Sequence, residues 1–277
     1  MRELRPDMGA ESEAFLRLSI FVGAFAVLAA LEAVWPRRVP LAGRWWRWGT
    51  NVGLSALNTM LLRLSFFIVP ALTVLAAVYG EARGWGVFPL LGVPQTIAAV
   101  AGFLILDLAV YAQHVAFHFV PPLWRIHRVH PADTEVDVST GIRFHPIEIL
   151  ISQAWKIAIV LTLGVPAIAV LVFEIALNAT SMFSHSNLRL PGWADSIMRR
   201  VIVTPDMHRV HHSTAHKETN SNFGFNLSIW DRLFATYRAA PALDHVTMPL
   251  GLASYRGDEP RRFLWLLQFP FVRGSAR

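Results

Sequence analysis

Four apolar runs, residues 15–35, 51–79, 94–119 and 148–185, are long enough to cross a bilayer, which takes about 20 helical residues. Charged residues make up 16% of the 277, where a soluble domain carries roughly 25%. Much of the surface therefore faces something other than water. The expected fold class is an all-α membrane protein: about four transmembrane helices, the last a hairpin, under a cytosolic helical cap. The first run is too long for a signal-peptide core and no small-residue cleavage site follows it, so it is expected to stay as a span. Pro70 marks an expected kink in the second run. Gly164-Val165-Pro166 breaks the last run into two half-length helices. Residues 1–93 form the membrane helices with a basic loop, 94–240 the histidine-bearing region, and 241–277 a tail with an interfacial helix over 261–272.

The loop at 36–49 gathers Arg37, Arg38, Arg44 and Arg47 with Trp45, Trp46 and Trp48. Arginines mark the cytoplasmic side of a membrane protein and tryptophans the interface level. The surplus of +6 and the pI near 10.4 are read as contacts to anionic lipid headgroups, with no nucleic acid as partner.

The chain has no cysteine, which excludes disulfides, thiolate zinc sites, cysteine-ligated clusters and thiolate haem. It has 11 histidines, ten of them between His114 and His216. Asp107, Tyr111, His114 and His118 follow a spacing of 4, 3 and 4, one face of a helix. An ionisable residue at the depth of Asp107 needs a partner, and a metal-bound imidazole N–H would supply one. His127 and His130 share a face before Pro131 stops the helix. Arg143-Phe144-His145-Pro146 and Phe183-Ser184-His185-Ser186-Asn187 follow. Thr204 and Pro205 then start a helix as N-cap and first residue, carrying His208, His211 and His212. Neutral imidazole suits iron, zinc, copper or nickel. Two ligands at i and i+3 are expected to grip one ion while the neighbour at i+4 turns to a second. His216 and His245 are read as surface or hydrogen-bonded residues. Two alternatives compete with redox chemistry. One is a zinc lipid hydrolase with Glu148 or Asp206 as acid or base. The other is a structural metal-binding protein without turnover.

These histidine groups, together with Asn220 to Tyr237, resemble the fatty acid hydroxylase/sterol desaturase superfamily over roughly residues 95–240. The resemblance implies an oxidoreductase with two iron ions (zinc can replace them in purified protein) and O2 as co-substrate. It would hydroxylate or desaturate a fatty acyl, sterol or isoprenoid lipid drawn from the bilayer. Electrons would come from an external ferredoxin, cytochrome or reductase. The active site would lie on the cytoplasmic face of a bacterial inner membrane or its equivalent. By position, His114, His127, His130, His208 and His211 would favour one metal, and His118, His185 and His212, with His145, the other. His114, His118, His127, His130, His208, His211 and His212 would carry catalysis, with Asp107, Tyr111 and Asn187 behind the ligands. Pro131 departs from the family pattern, which has a third histidine there, and would cost the second metal a ligand.

Overall fold

The computed structural model describes residues 6–40, 43–65 and 72–272. The described elements are helical, joined by isolated bridges such as Pro36 with Leu188. In chain order they begin with α1 (Pro6–Val34), α2 (Arg44–Ser65), α3 (Leu72–Ala82), α4 (Val87–Leu90) and α5 (Gln95–Phe119). Then come α6 (Pro121–His127), a 3-10 turn at Val138–Ile142, α7 (Pro146–Leu163) and α8 (Ala167–His185). The cap ends with α9 (Gly192–Met198), α10 (Pro205–His211), α11 (His216–Thr219), α12 (Ile229–Leu233) and α13 (Phe263–Gln268).

Among the described residues, four helices are long and apolar enough to cross a membrane: Ser12–Val34 within α1, α5, α7 and α8. Hydrocarbon satisfies no backbone N–H, so a crossing segment closes its hydrogen bonds within itself, as a helix does. Phe15, Leu18, Val22 and Val27 of α1, Ile97 and Val100 of α5, and Ile168 and Val172 of α8 all face outward. Apolar exposure on that scale marks a lipid-facing surface.

The set of four differs from the expected one. Neither α2 nor α3 qualifies as a span, and residues 66–71, with the kink expected at Pro70, lie outside the described residues. α2 buries Arg47, Asn51 and Asn58 against the polar cap, and α3 is described over 11 residues, short of a crossing. The hairpin supplies two crossings instead. Its arms of 18 and 19 residues reach about 27–29 Å at 1.5 Å per residue, close to a hydrocarbon core of about 30 Å. Gly164 makes the turn possible. Its φ of 70° is left-handed, and a Cβ there would lie 2.4 Å from the Trp85 carbonyl oxygen. Val160 and Val165 beside it pack against Leu106 and Val110 of α5 and Val74 of α3.

The cap is framed by buried charge. Arg47 donates to Asp133 at 2.8 Å and to Asp137, whose other oxygen accepts from the Ser139 N–H at 2.9 Å at the start of the 3-10 turn. Arg143 donates to Asn51 Oδ1 at 2.8 Å and to the carbonyls of Val129 and Pro260 at 2.9 and 2.7 Å. Burial lowers the Arg143 guanidinium to about 10, so it remains cationic at neutral pH. Buried charges persist only when paired and hydrogen-bonded in this way. The expected headgroup role of the loop arginines is corrected accordingly. Arg37 meets Asp206 at 3.1 Å, Arg38 the carbonyls of His245 and Met248, and Arg44 meets Glu32 at 2.7 Å. Trp45 and Trp46 stay exposed. The helix expected at the interface over 261–272 is only half so. Leu264 is exposed, but Leu266 and Phe269 are wholly buried against Leu54 and Val129.

Candidate metal centre

Eight histidines from five places in the chain meet beneath the cap. His114 and His118 come from the end of α5, His127 from the end of α6, and His211 from α10. Their ring nitrogens lie within 4.8 Å of one another. His130, His185, His208 and His212 form a second group meeting the same criterion. All eight are buried, and the groups adjoin: the His127 and His130 rings are 5.5 Å apart and those of His208 and His211 5.1 Å.

The division of ligands differs from the expected one for a helical reason. At about 100° per residue, positions i and i+4 end roughly 40° apart, while i+3 falls some 100° from i+4. His114 and His118 therefore share a cluster, as do His208 and His212, and His211 turns to the other group. His130 lies beyond the last turn of α6, after the Arg128 cap, so it parts from His127. Each group holds four imidazoles, and Pro131 contributes to neither. His145 belongs to neither. It caps α7 by accepting from the Ile147 N–H, and its Nε2 faces the Leu267 carbonyl at 3.2 Å.

Outer contacts fix which nitrogen faces inward. In the first group the Nδ1 atoms of His114 and His211 lie 2.8 and 2.7 Å from the carbonyls of Phe223 and Ser221. Those of His127 and His118 lie 2.7 Å from Glu148 Oε1 and 3.2 Å from Asn220 Oδ1. These oxygens accept, so each Nδ1 carries the proton and each Nε2 presents a lone pair. All four Nε2 atoms are buried without a partner. Such an atom costs about 1–3 kcal/mol, and one cation at their meeting point satisfies all four. In the second group His130 and His185 donate from Nδ1 to the carbonyls of Arg143 and Ser181 at 3.0 and 2.6 Å. Their bare Nε2 atoms then face each other at 3.0 Å, a repulsive contact that a cation between them relieves. Burial pushes His127, His130, His208, His211 and His212 well below 6.5, so they are neutral and ready to ligate. The donor set fits two metal ions.

The residues expected behind the ligands have other partners. Asp107 accepts from Trp230 Nε1 at 2.8 Å and from the Leu227 N–H, which ties α5 to the cap without touching an imidazole. Tyr111 bonds Thr236 at 2.8 Å and stacks on Phe234. Asn187 holds the N-terminal loop through Arg38. The carboxylate role expected of Asp107 falls to Glu148 instead. Asp231 acts one step further out, accepting from the N–H groups of Phe223 and Gly224 and so setting the carbonyl that orients His114. Backbone carbonyls carry no residue signature, so most of these contacts are invisible in sequence.

A cavity of about 410 Å³ adjoins the first cluster, with His114, Phe117 and Glu148 in its wall. A smaller one of about 100 Å³ approaches His118 from the cap side, between Trp124 and Tyr255.

The chain belongs to the fatty acid hydroxylase family, whose model matches residues 99–236. Ornithine lipid hydroxylase OlsE of Rhizobium tropici is 30% identical over 185 residues, 66% of this chain and 53% of that protein. Alkylglycerol monooxygenase of Homo sapiens is 27% identical over 139 residues, 50% and 30% of the two chains. Cholesterol 25-hydroxylase of Rattus norvegicus is 25% identical over 148 residues, 50% and 46%. This chain thus spans about half the length, or less, of these relatives. No solved structure matches it.

Proposed function

We propose that this chain is a membrane-bound, O2-dependent lipid hydroxylase using a pair of iron ions held by the eight clustered histidines. The observation that carries the reading is the pair of adjoining imidazole clusters, bare nitrogens inward, in a chain of this family. Relatives named as hydroxylases and monooxygenases favour oxygen insertion over desaturation. When bound, such ions supply the redox chemistry that reduces O2 and oxidises a C–H bond, fed by an external ferredoxin, cytochrome or reductase.

The chain's own residues prepare the place. Glu148 and the carbonyls of Phe223, Ser221, Arg143 and Ser181 hold the rings in one tautomer and orientation. Complete burial of the ligands keeps bulk water from the reacting centre. The cavity beside His114 admits a substrate from among the membrane helices. The four arginines after α1 stand at the same end as the clusters, which supports a cytoplasmic placement.

Purified protein is expected to retain two iron ions per chain and to consume O2 when given bilayer lipid and a reductant. His211→Ala should end that uptake while the protein remains in the membrane. Lipid cleavage without O2 uptake, with zinc as the retained metal, overturns the reading in favour of a hydrolase.

A further inference from the structure

The cavity beside the first cluster has a largely apolar wall that also carries charged and polar groups at membrane depth. Its wall runs from His114 and Glu148 to charges set within the candidate spans: Arg17 of α1, Lys156 of α7 and Glu174 of α8. Glu174 accepts from Lys156 at 2.8 Å and from Arg17 at 2.5 Å. Arg17 also lies 3.4 Å from Glu13, one turn earlier and outside the wall. The two cations at this pole thus meet two carboxylates, of which only Glu174 lines the wall. Lys156 stands eight residues beyond Glu148, about 12 Å along the helix.

Between the poles, apolar side chains such as Phe117, Phe144 and Ile149 alternate with polar groups that are incompletely paired. Asn58 donates to the Phe144 carbonyl at 2.9 Å, which fixes its amide and leaves Oδ1 buried without a partner. Gln113 accepts from Ser152 at 3.1 Å, and its Nε2 has no partner. Glu148 Oε1 accepts from His127, and Oε2 has no partner. An alkyl chain here would leave these groups unsatisfied and set methylenes against two cations, both costly in a low-dielectric site. Ionisable residues at membrane depth mark a functional site by default.

We propose that this chamber receives the polar head of a lipid, and that the C–H bond oxidised lies in that head region and not along the acyl chain. The head carries an anionic group for Arg17 and Lys156, and N–H or O–H donors for Asn58 and Glu148. The binding half follows from the cavity alone; the oxidation half rests on the function proposed above. In that step one atom of O2 enters the C–H bond to give C–OH. The other leaves as water, with two electrons from the external reductant and two protons.

The test compares phosphatidylethanolamine with diacylglycerol of the same acyl chains, bound to the purified full-length protein in detergent and read by native mass spectrometry. Wild type should prefer phosphatidylethanolamine about tenfold or more, the scale of one hydrogen bond to a charged group. Lys156→Met should remove the preference and Lys156→Arg restore it. Ser152→Phe, which fills the wall without touching a charge, should displace phosphatidylethanolamine; unchanged binding there counts against the chamber. Equal binding of the two lipids by wild type overturns the proposal, as does a preference that Lys156→Met leaves intact. Tandem mass spectrometry of lipids from cells expressing the chain then locates the added oxygen. Oxygen on the head fragment supports the second half, and oxygen on the acyl fragment overturns it while leaving the hydroxylase standing. Head-selective binding with no oxidation supports the chamber and sinks the hydroxylase.

Discussion

The two histidine clusters use the same ligand and the same number of rings, yet they are held differently. Every ring of the first, His114, His118, His127 and His211, is engaged from outside, one of them by the carboxylate of Glu148. In the second, His130 and His185 are engaged through Nδ1, while His208 Nδ1 and both nitrogens of His212 have no protein partner. A ring tied through its outer nitrogen keeps its orientation when the ion leaves. An untied ring must be ordered by the ion itself, which subtracts from the binding energy. The first cluster is thus a preformed site and the second depends more on its occupant.

The largest effect that can break this comparison is loss of a first-cluster ligand. His127→Ala should lower turnover by more than the ~10–100-fold that loss of an outer partner costs; measurable turnover near wild type would mean the cluster is not the reaction centre. Removing the outer partner sharpens the contrast. Glu148→Leu should weaken metal binding at the first cluster by about 10–100-fold, read by titration of the metal-free protein. A chelator should strip the second cluster first, so that metal content falls in two steps; a single step would show the clusters to be equivalent. Acid should act on the metal-free protein through the imidazoles outside the spans, whose folded values lie well below 6.5. The unfolded chain takes up their protons first, so stability is full above pH 6.5 and falls as pH drops below it, by at most about 1.4 kcal/mol per histidine per pH unit. Thermal melts across pH 5 to 7.5 check the sign. The smallest effect belongs to Asn220→Ala, which removes the long 3.2 Å contact to His118 and should cost less than about tenfold in metal affinity.

Much of the architecture was legible because it is written in local patterns. The third apolar run coincides with α5 almost to the residue, the first ends with α1 although that helix begins nine residues earlier, and Gly164 to Pro166 divides the last run where the chain turns. Thr204 and Pro205 start α10 as their chemistry requires, the Thr204 hydroxyl accepting from the Met207 N–H. The second run, part of which lies outside the described residues, begins in α2, where Asn51 and Asn58 are buried beside Arg47. Lys156, Glu174 and Arg17 passed unremarked inside runs read as hydrocarbon-facing. Their rarity in such runs was the available signal.

That this chain spans a membrane and gathers imidazole at one end was decided by the sequence itself, through run length and through histidines one turn apart on single helices. Which rings share an ion, that Glu148 and not Asp107 backs a ligand, and that a charged chamber opens beside His114 were decided only by the tertiary structure. Helical periodicity specifies a direction about one axis. Whether two directions converge depends on how separate axes are placed, and buried contacts far apart in sequence do the placing, among them Arg47 with Asp133 and Val165 against α5.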